Sequence, residues 1–210
     1  LEGVWIGRIT LESIVIGAGV GGLSVAALLG RNGHNVTVLE RNDEIGGRAR
    51  VWKKDGFVFD MGPSWYLMPE VFEHYFDNFD KEVKDFYELI RLDPSYRIFF
   101  PESTLEISGK LEENLELFDR LEENGAEKLQ KYLDQAQDKY EYLLDGLMYE
   151  DLSGILSMFN PKLMAAGWKL SILSNIDGLT KKYFDSERAR KILQYSIVFL
   201  GGNPKNTPAL

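Results

Sequence analysis

The chain has 210 residues, enough to bury a core as one large domain or two small ones. Lys and Arg number 24 against 33 Asp and Glu, and the resulting net charge of −9 argues against phosphate-backbone binding, so no nucleic acid is expected as a partner. With no Cys and only two His, disulfides, thiol catalysis, zinc–thiolate sites and iron–sulfur clusters are excluded, and no metal site is expected.

Leu1 to Leu11 has no basic segment, no small-residue cleavage site and no initiator Met, so residues 1–11 are expected to be a leader or tag remnant outside the fold. Ser13-Ile14-Val15-Ile16 reads as a buried parallel strand that stops at a glycine cluster. The Ala- and Leu-rich run Leu23 to Leu29 reads as a helix capped near Asn32-Gly33. Asn35 to Leu39 is a second strand, ending on Glu40. Strand, glycine turn, helix and strand together make the βαβ unit of a parallel sheet.

Short strands are expected over Ala49–Lys53 and Phe57–Phe59, around the turn Lys54-Asp55-Gly56. A helix is expected over Pro69–Phe79, with Pro at its first turn. The texture changes near Leu92-Asp93-Pro94. Tyr96–Phe100 and Leu105–Ile107 read as paired strands, followed by helices over Lys110–Glu123 and Ala126–Leu147. In the second of these, Leu129, Leu133, Ala136, Tyr140, Leu143 and Leu147 alternate spacings of four and three, a pattern shared by a coiled-coil seam and by a helix packed on its own domain. Leu156–Leu179 and Ser186–Leu200 also read as helical.

Gly17, Gly19 and Gly22 form G-x-G-x-x-G, and Gly21 stands among them. The first glycine permits the tight turn, the second lets a pyrophosphate approach the backbone, and the third lets the helix pack on the sheet. The helix N-terminus then offers free N–H groups to phosphate. Glu40, at the end of the second strand, is placed to accept hydrogen bonds from ribose hydroxyls, and its charge makes a 2′-phosphate the poorer fit. His34 is read as an exposed turn residue without chemistry.

The loop that follows, Glu40-Arg41-Asn42-Asp43-Glu44-Ile45-Gly46-Gly47-Arg48, resembles the second fingerprint of the large flavoprotein family that contains amine oxidases and carotenoid desaturases. Phe57-Val58-Phe59-Asp60-Met61-Gly62-Pro63-Ser64-Trp65 looks like the next conserved-type segment of bacterial-type phytoene desaturases. Arg91 to Tyr96 and Phe199 to Leu210 are similar to the same family. The resemblance implies FAD as cofactor, held by Gly17, Gly19, Gly21, Gly22, Glu40, Arg41, Gly46, Gly47, Arg48, Met61, Gly62, Pro63 and Ser64.

It further implies an α/β fold: a Rossmann-like FAD-binding segment over 12–87, then the start of a helix-rich α+β substrate domain over 88–210. The implied reaction is desaturation of a polyene lipid such as phytoene, with hydride passing to the flavin N5. No catalytic residue is assigned; Asp60 reads equally as a polar group near the ring or a turn cap. Members of that family are about twice as long, so the chain is expected to be an N-terminal part, inactive alone. A substrate of that kind implies a cytoplasmic protein in monotopic contact with the membrane, and Pro161–Leu173 is the candidate contact. Related readings are a dehydrosqualene desaturase, a carotenoid isomerase, an amine oxidase, or a non-catalytic FAD- or lipid-binding protein.

Overall fold

The β-branched run ahead of the first glycine forms β1 (Glu12–Ile16), and the alternating Asn35–Leu39 forms β2 beside it. The computed structural model describes residues 10–63, 65–146, 148 and 174–209. The strands run parallel, with Ser13 opposite Val36 and Val15 opposite Val38. They are joined by α1 (Val20–Arg31), which starts three residues earlier than its apolar run. Glycine is a poor helix former, yet Gly21 and Gly22 lie in the first turn because the phosphate-type turn needs them there. Asn32 caps the C-terminus, its N–H and side-chain amide both donating to the Leu28 carbonyl.

One expectation about β1 is corrected. Ser13 and Val15 point to the α1 side and are partly buried, whereas Ile14 and Ile16 lie on the other face, 67% and 86% exposed. One crossover helix covers one face of a parallel pair, and among the described residues nothing covers the second. Leu11 also departs from its expected place outside the fold. Its N–H donates to His34 Nδ1 at 3.1 Å and its carbonyl accepts from Asn35, so the pairing starts ahead of the strand.

A hairpin follows, β3 (Val51–Lys54) against β4 (Phe57–Asp60), with the expected turn at Asp55-Gly56. Ala49, expected in a strand, sits instead in a 3₁₀ turn over Gly47–Ala49. The left-handed φ of Gly46 and Gly47, +101° and +60°, bends the chain before it can extend. Then comes α2 (Pro69–Asp77), ending two residues short of Phe79. Tyr75, Phe76 and Phe79 form an aromatic group there, and the Tyr75 hydroxyl donates to the Ser24 carbonyl of α1.

The chain divides into two compact units at Ile90 and Arg91. The second begins with an antiparallel hairpin, β5 (Tyr96–Phe100) and β6 (Ser103–Ile107). Two helices pack on each other, α3 (Leu111–Leu121) and α4 (Gly125–Gly146). Two more follow, α5 (Ile176–Tyr183) and α6 (Glu187–Gln194), and then a 3₁₀ helix over Tyr195–Leu200. The helix expected over Leu156–Leu179 lies mostly outside the described residues. Its visible end is broken at Asn175, whose extended backbone and side-chain bond to the Gly178 N–H start α5 afresh.

Leu129 and Leu133 turn inward with Leu117, Phe118, Phe184, Ala189 and Ile192, so the α4 stripe serves its own unit's core. Phe118 and Phe184 meet edge to face at 5.4 Å. The Glu122 carboxylate pairs with Lys128 and accepts the Ser186 N–H, tying the end of α3 to the start of α6. Phe184→Ala, which empties this core, is expected to cost about 3–5 kcal/mol. The exposed Ile16→Thr is expected to change stability by less than about 0.5 kcal/mol. Urea unfolding followed by circular dichroism checks the contrast.

Candidate functional site

Three glycine-bearing loops converge in the first unit. The chain leaves β1 through Gly17, whose φ of +102° only glycine adopts freely, and whose N–H donates to the Leu39 carbonyl at 2.7 Å. At Gly22 a Cβ would stand 2.0 Å from the Gly17 carbonyl oxygen, so glycine there lets α1 close on the turn. The second loop docks on the first: Gly46 N–H donates to the Ala18 carbonyl at 2.7 Å, and Gly19 and Gly46 form a parallel bridge. A Cβ at Gly47 would lie 3.0 Å from Gly19 Cα. The third loop follows β4, and a Cβ at Gly62 would fall 2.8 Å from Ala49 Cα.

These contacts leave an open cleft of about 900 Å³, bordered by all three loops. Gly19, Gly21, Gly46, Gly47, Arg48, Met61, Gly62 and Pro63 of the expected site line it. Gly17 and Gly22 do not; they shape the turn behind it. Glu40 and Arg41 are not in the lining, and Ser64 lies outside the described residues. Three lining residues were missed by the sequence reading: Val20, Ala49 and Arg50. Val20 is an x of the glycine motif. Ala49 and Arg50 enter because the 3₁₀ turn takes the place of the expected strand start.

The chemistry of the cleft suits an anion. Gly19 is the N-cap of α1, no side chain caps that end, and no acidic residue occupies its first turn. The first N–H groups of a helix lack intrahelical partners and carry its positive end. The Arg48 guanidinium makes no hydrogen bond or ion pair among the described residues, whereas Arg50 Nη1 donates to the Gly47 carbonyl at 3.0 Å and braces the loop. A diphosphate fits such a donor set, with glycines admitting it to the backbone.

Glu40 is held on both oxygens. Oε2 accepts the Ala18 N–H at 2.8 Å, and Oε1 accepts the Asn42 N–H at 2.9 Å and Asn42 Nδ2 at 2.8 Å. Donation from the Asn42 backbone, then from Ala18, holds the carboxyl below its ordinary range. A lowered carboxylate pKa means that the ionised form is favoured in the fold; its stabilisation is present above the unfolded value and is lost as pH falls through the folded one.

The second unit holds another concavity, a cavity of about 300 Å³ between α4 and α5. Tyr132, Ala136, Leu143, Ile176 and Leu179 give it apolar walls, and the buried Lys139, whose Nζ donates to the Ala209 carbonyl at 2.9 Å, stands at its edge. Burial, and then the charge of Lys182, push the Lys139 ammonium pKa down.

The first unit's cleft, on a βαβ unit and lined by glycines and Arg48, has the donor set of a nucleotide-binding fold. Residues 20–188 match the model of the flavin containing amine oxidoreductase family. The chain belongs to that family, and a flavin is the family's cofactor. It is 41% identical over 198 residues to a carotenoid 3,4-desaturase of Haloarcula japonica, covering 93% of this chain and 40% of that protein. It is 32% identical over 201 residues to the 4,4′-diaponeurosporene-forming 4,4′-diapophytoene desaturase of Staphylococcus aureus, covering 95% of this chain and 40% of that protein. The chain thus spans about two fifths of these curated relatives.

Among solved structures, a putrescine oxidase variant is similar with a TM-score of 0.55 at 16% identity, covering 95% of this chain and 40% of its own. Wild-type putrescine oxidase bound to putrescine gives 0.51 at 18% identity, covering 96% and 40%. At such identities the likeness concerns the fold.

Two glycine substitutions separate fold from cofactor. Gly22→Ala, which meets the Gly17 carbonyl, is expected to destabilise the first unit whether or not FAD is present. Gly21→Ala has nothing within 4 Å of the new methyl and is expected to keep the fold and the melting temperature, yet to weaken FAD binding about tenfold or more by blocking backbone approach. FAD titration by flavin fluorescence beside a thermal melt reads both. FAD affinity is also expected to hold while Glu40 is ionised and to fall as pH drops through its lowered pKa. Repeating the titration with Glu40→Gln, which removes the titration, checks the assignment.

Proposed function

We propose that the protein serves FAD-dependent desaturation of a carotenoid-type polyene, its first unit (assigned to residues 12–87) being a Rossmann-like, G-x-G-x-x-G segment for FAD and its second (88–210) part of the substrate domain. The observation that carries this reading is the coincidence of the glycine-lined, Arg48-bearing cleft with 41% identity to a carotenoid desaturase across nearly the whole chain.

When bound, the flavin would supply the acceptor for a hydride from one carbon, while the neighbouring carbon would release a proton to water as the C–C single bond becomes double. The chain's own residues do the holding. N–H groups at the start of α1 and along the glycine loops donate to the diphosphate, and Arg48 balances its charge. Glu40 receives a ribose hydroxyl. The apolar walls of the second unit's cavity favour a hydrocarbon chain over a charged substrate. No residue among those described is assigned a catalytic role, and Asp60 closes β4 opposite Val51.

A polyene substrate dissolves in the bilayer, so peripheral, monotopic contact from the cytoplasmic side belongs to the proposal. No helix among the described residues is long and apolar enough to cross a membrane. The candidate contact at Pro161–Leu173 lies outside the described residues.

The test is an anaerobic absorption spectrum of the FAD-loaded protein before and after adding liposomes that carry a phytoene-type polyene. Flavin bands that bleach as longer-wavelength polyene bands grow support the reading. Flavin bands unchanged by polyene yet bleached by a primary amine would replace it with amine oxidation.

A further inference from the structure

Glu40 is the group that the nucleotide motif offers to ribose, yet a carboxylate on a loop is free to rotate unless something holds it. A carboxylate has about four acceptor sites, two on each oxygen. Asn42 and Ala18 donate three hydrogen bonds to it, and the Arg41 N–H also faces it. Asn42 supplies both bonds on Oε1, from its main-chain N–H at 2.9 Å and its Nδ2 at 2.8 Å, while Ala18 N–H takes one site on Oε2 at 2.8 Å. Asn42 is two residues from Glu40, in the bend Arg41–Ile45, and does not line the cleft. Its amide has no other hydrogen-bond partner among the described residues.

We infer that Asn42 is a positioning residue for the cofactor's ribose: by donating two hydrogen bonds to Oε1 of Glu40, it fixes the carboxylate so that Oε2 is the oxygen offered to a ribose hydroxyl. The inference rests on the FAD reading of the cleft and gives a role to a residue between the glycines and arginines of the second loop. A pinned carboxylate meets the ribose without first losing rotamer freedom, a cost that a free Glu would bear on binding. Asn42 acts only through Glu40, so its effect vanishes when Glu40 is absent.

The experiment is a double-mutant cycle on the FAD dissociation constant, read by flavin fluorescence with the purified protein. Asn42→Ala is expected to weaken FAD about three- to tenfold, the scale of immobilising one side chain on binding. In a Glu40→Ala background the same substitution is expected to change nothing beyond about twofold, because coupled groups are not additive. Asn42→Asp supplies the discriminating readout. Asn and Asp serve a loop bend equally well, so a purely structural residue tolerates the swap, whereas a carboxylate facing Glu40 is expected to weaken FAD further than Asn42→Ala. Far-UV circular dichroism and the melting temperature of each variant confirm that the fold is kept. Equal affinity of wild type and Asn42→Ala, equal losses in both backgrounds, or wild-type affinity in Asn42→Asp would overturn the inference while leaving the cofactor reading intact. A folded wild-type protein that binds no FAD would overturn both.

Discussion

The candidate site depends on how the backbone of Ala18 is held. Its N–H is taken by the Glu40 carboxylate at the end of β2, and its carbonyl takes the N–H of Gly46 from the following loop. One residue thus joins the first glycine turn to the end of the second strand and to the second glycine loop. It is 2% exposed, and it is the only fully buried apolar side chain among the described residues of the first unit. Its other hydrogen-bond partner, Gly46, is glycine main chain. Around it, Gly47 and Gly62 let the loops meet at distances where a Cβ would crowd the neighbouring backbone.

The two units are built on different balances. The second has a closed apolar core, with Phe118, Phe184 and Ala189 at its centre and aromatic pairs around it. The first is held largely by backbone bonds and loop contacts, and leaves Ile14, Ile16 and Leu39 on an uncovered sheet face. Hydrophobic burial is the dominant stabilising term in folds. By that measure the first unit, as described, draws less stability from its core than the second. A ligand that binds only the folded loops adds stability by mass action, so cofactor binding and order in the first unit are linked.

The parts of this arrangement that the sequence made legible are those with a local cause. Gly17 and Gly22 announce a turn because the left-handed φ of the one and the tight packing of the other exclude a side chain. Asn35–Leu39 forms the strand that its alternation predicts, and Tyr96–Phe100 does likewise. Parts with a non-local cause were harder to read. The β1 run is apolar on both faces, so composition suggests complete burial, but which face is covered depends on how many elements reach it. Ala49 has no feature that distinguishes a strand start from a 3₁₀ turn; the left-handed Gly46 and Gly47 decide it. Asn175 interrupts a run that looks uniformly helical, because its side chain captures the Gly178 N–H. At the site, the glycines and Arg48 could be found from spacing. The partnership of Asn42 with Glu40 could not, since an Asn in a polar loop carries no signal until the carboxylate beside it is placed.

The central claim is that the three glycine loops, and no other surface, receive FAD. The most direct measurement is the amide NMR spectrum of the isotopically labelled protein during titration with FAD. The account predicts that the amides of Gly19, Gly21, Gly46, Gly47 and Gly62 shift together and saturate at one concentration, while those of α5 and α6 stay in place. Shifts centred on the second unit, or saturating FAD that leaves the glycine amides unmoved, would contradict it.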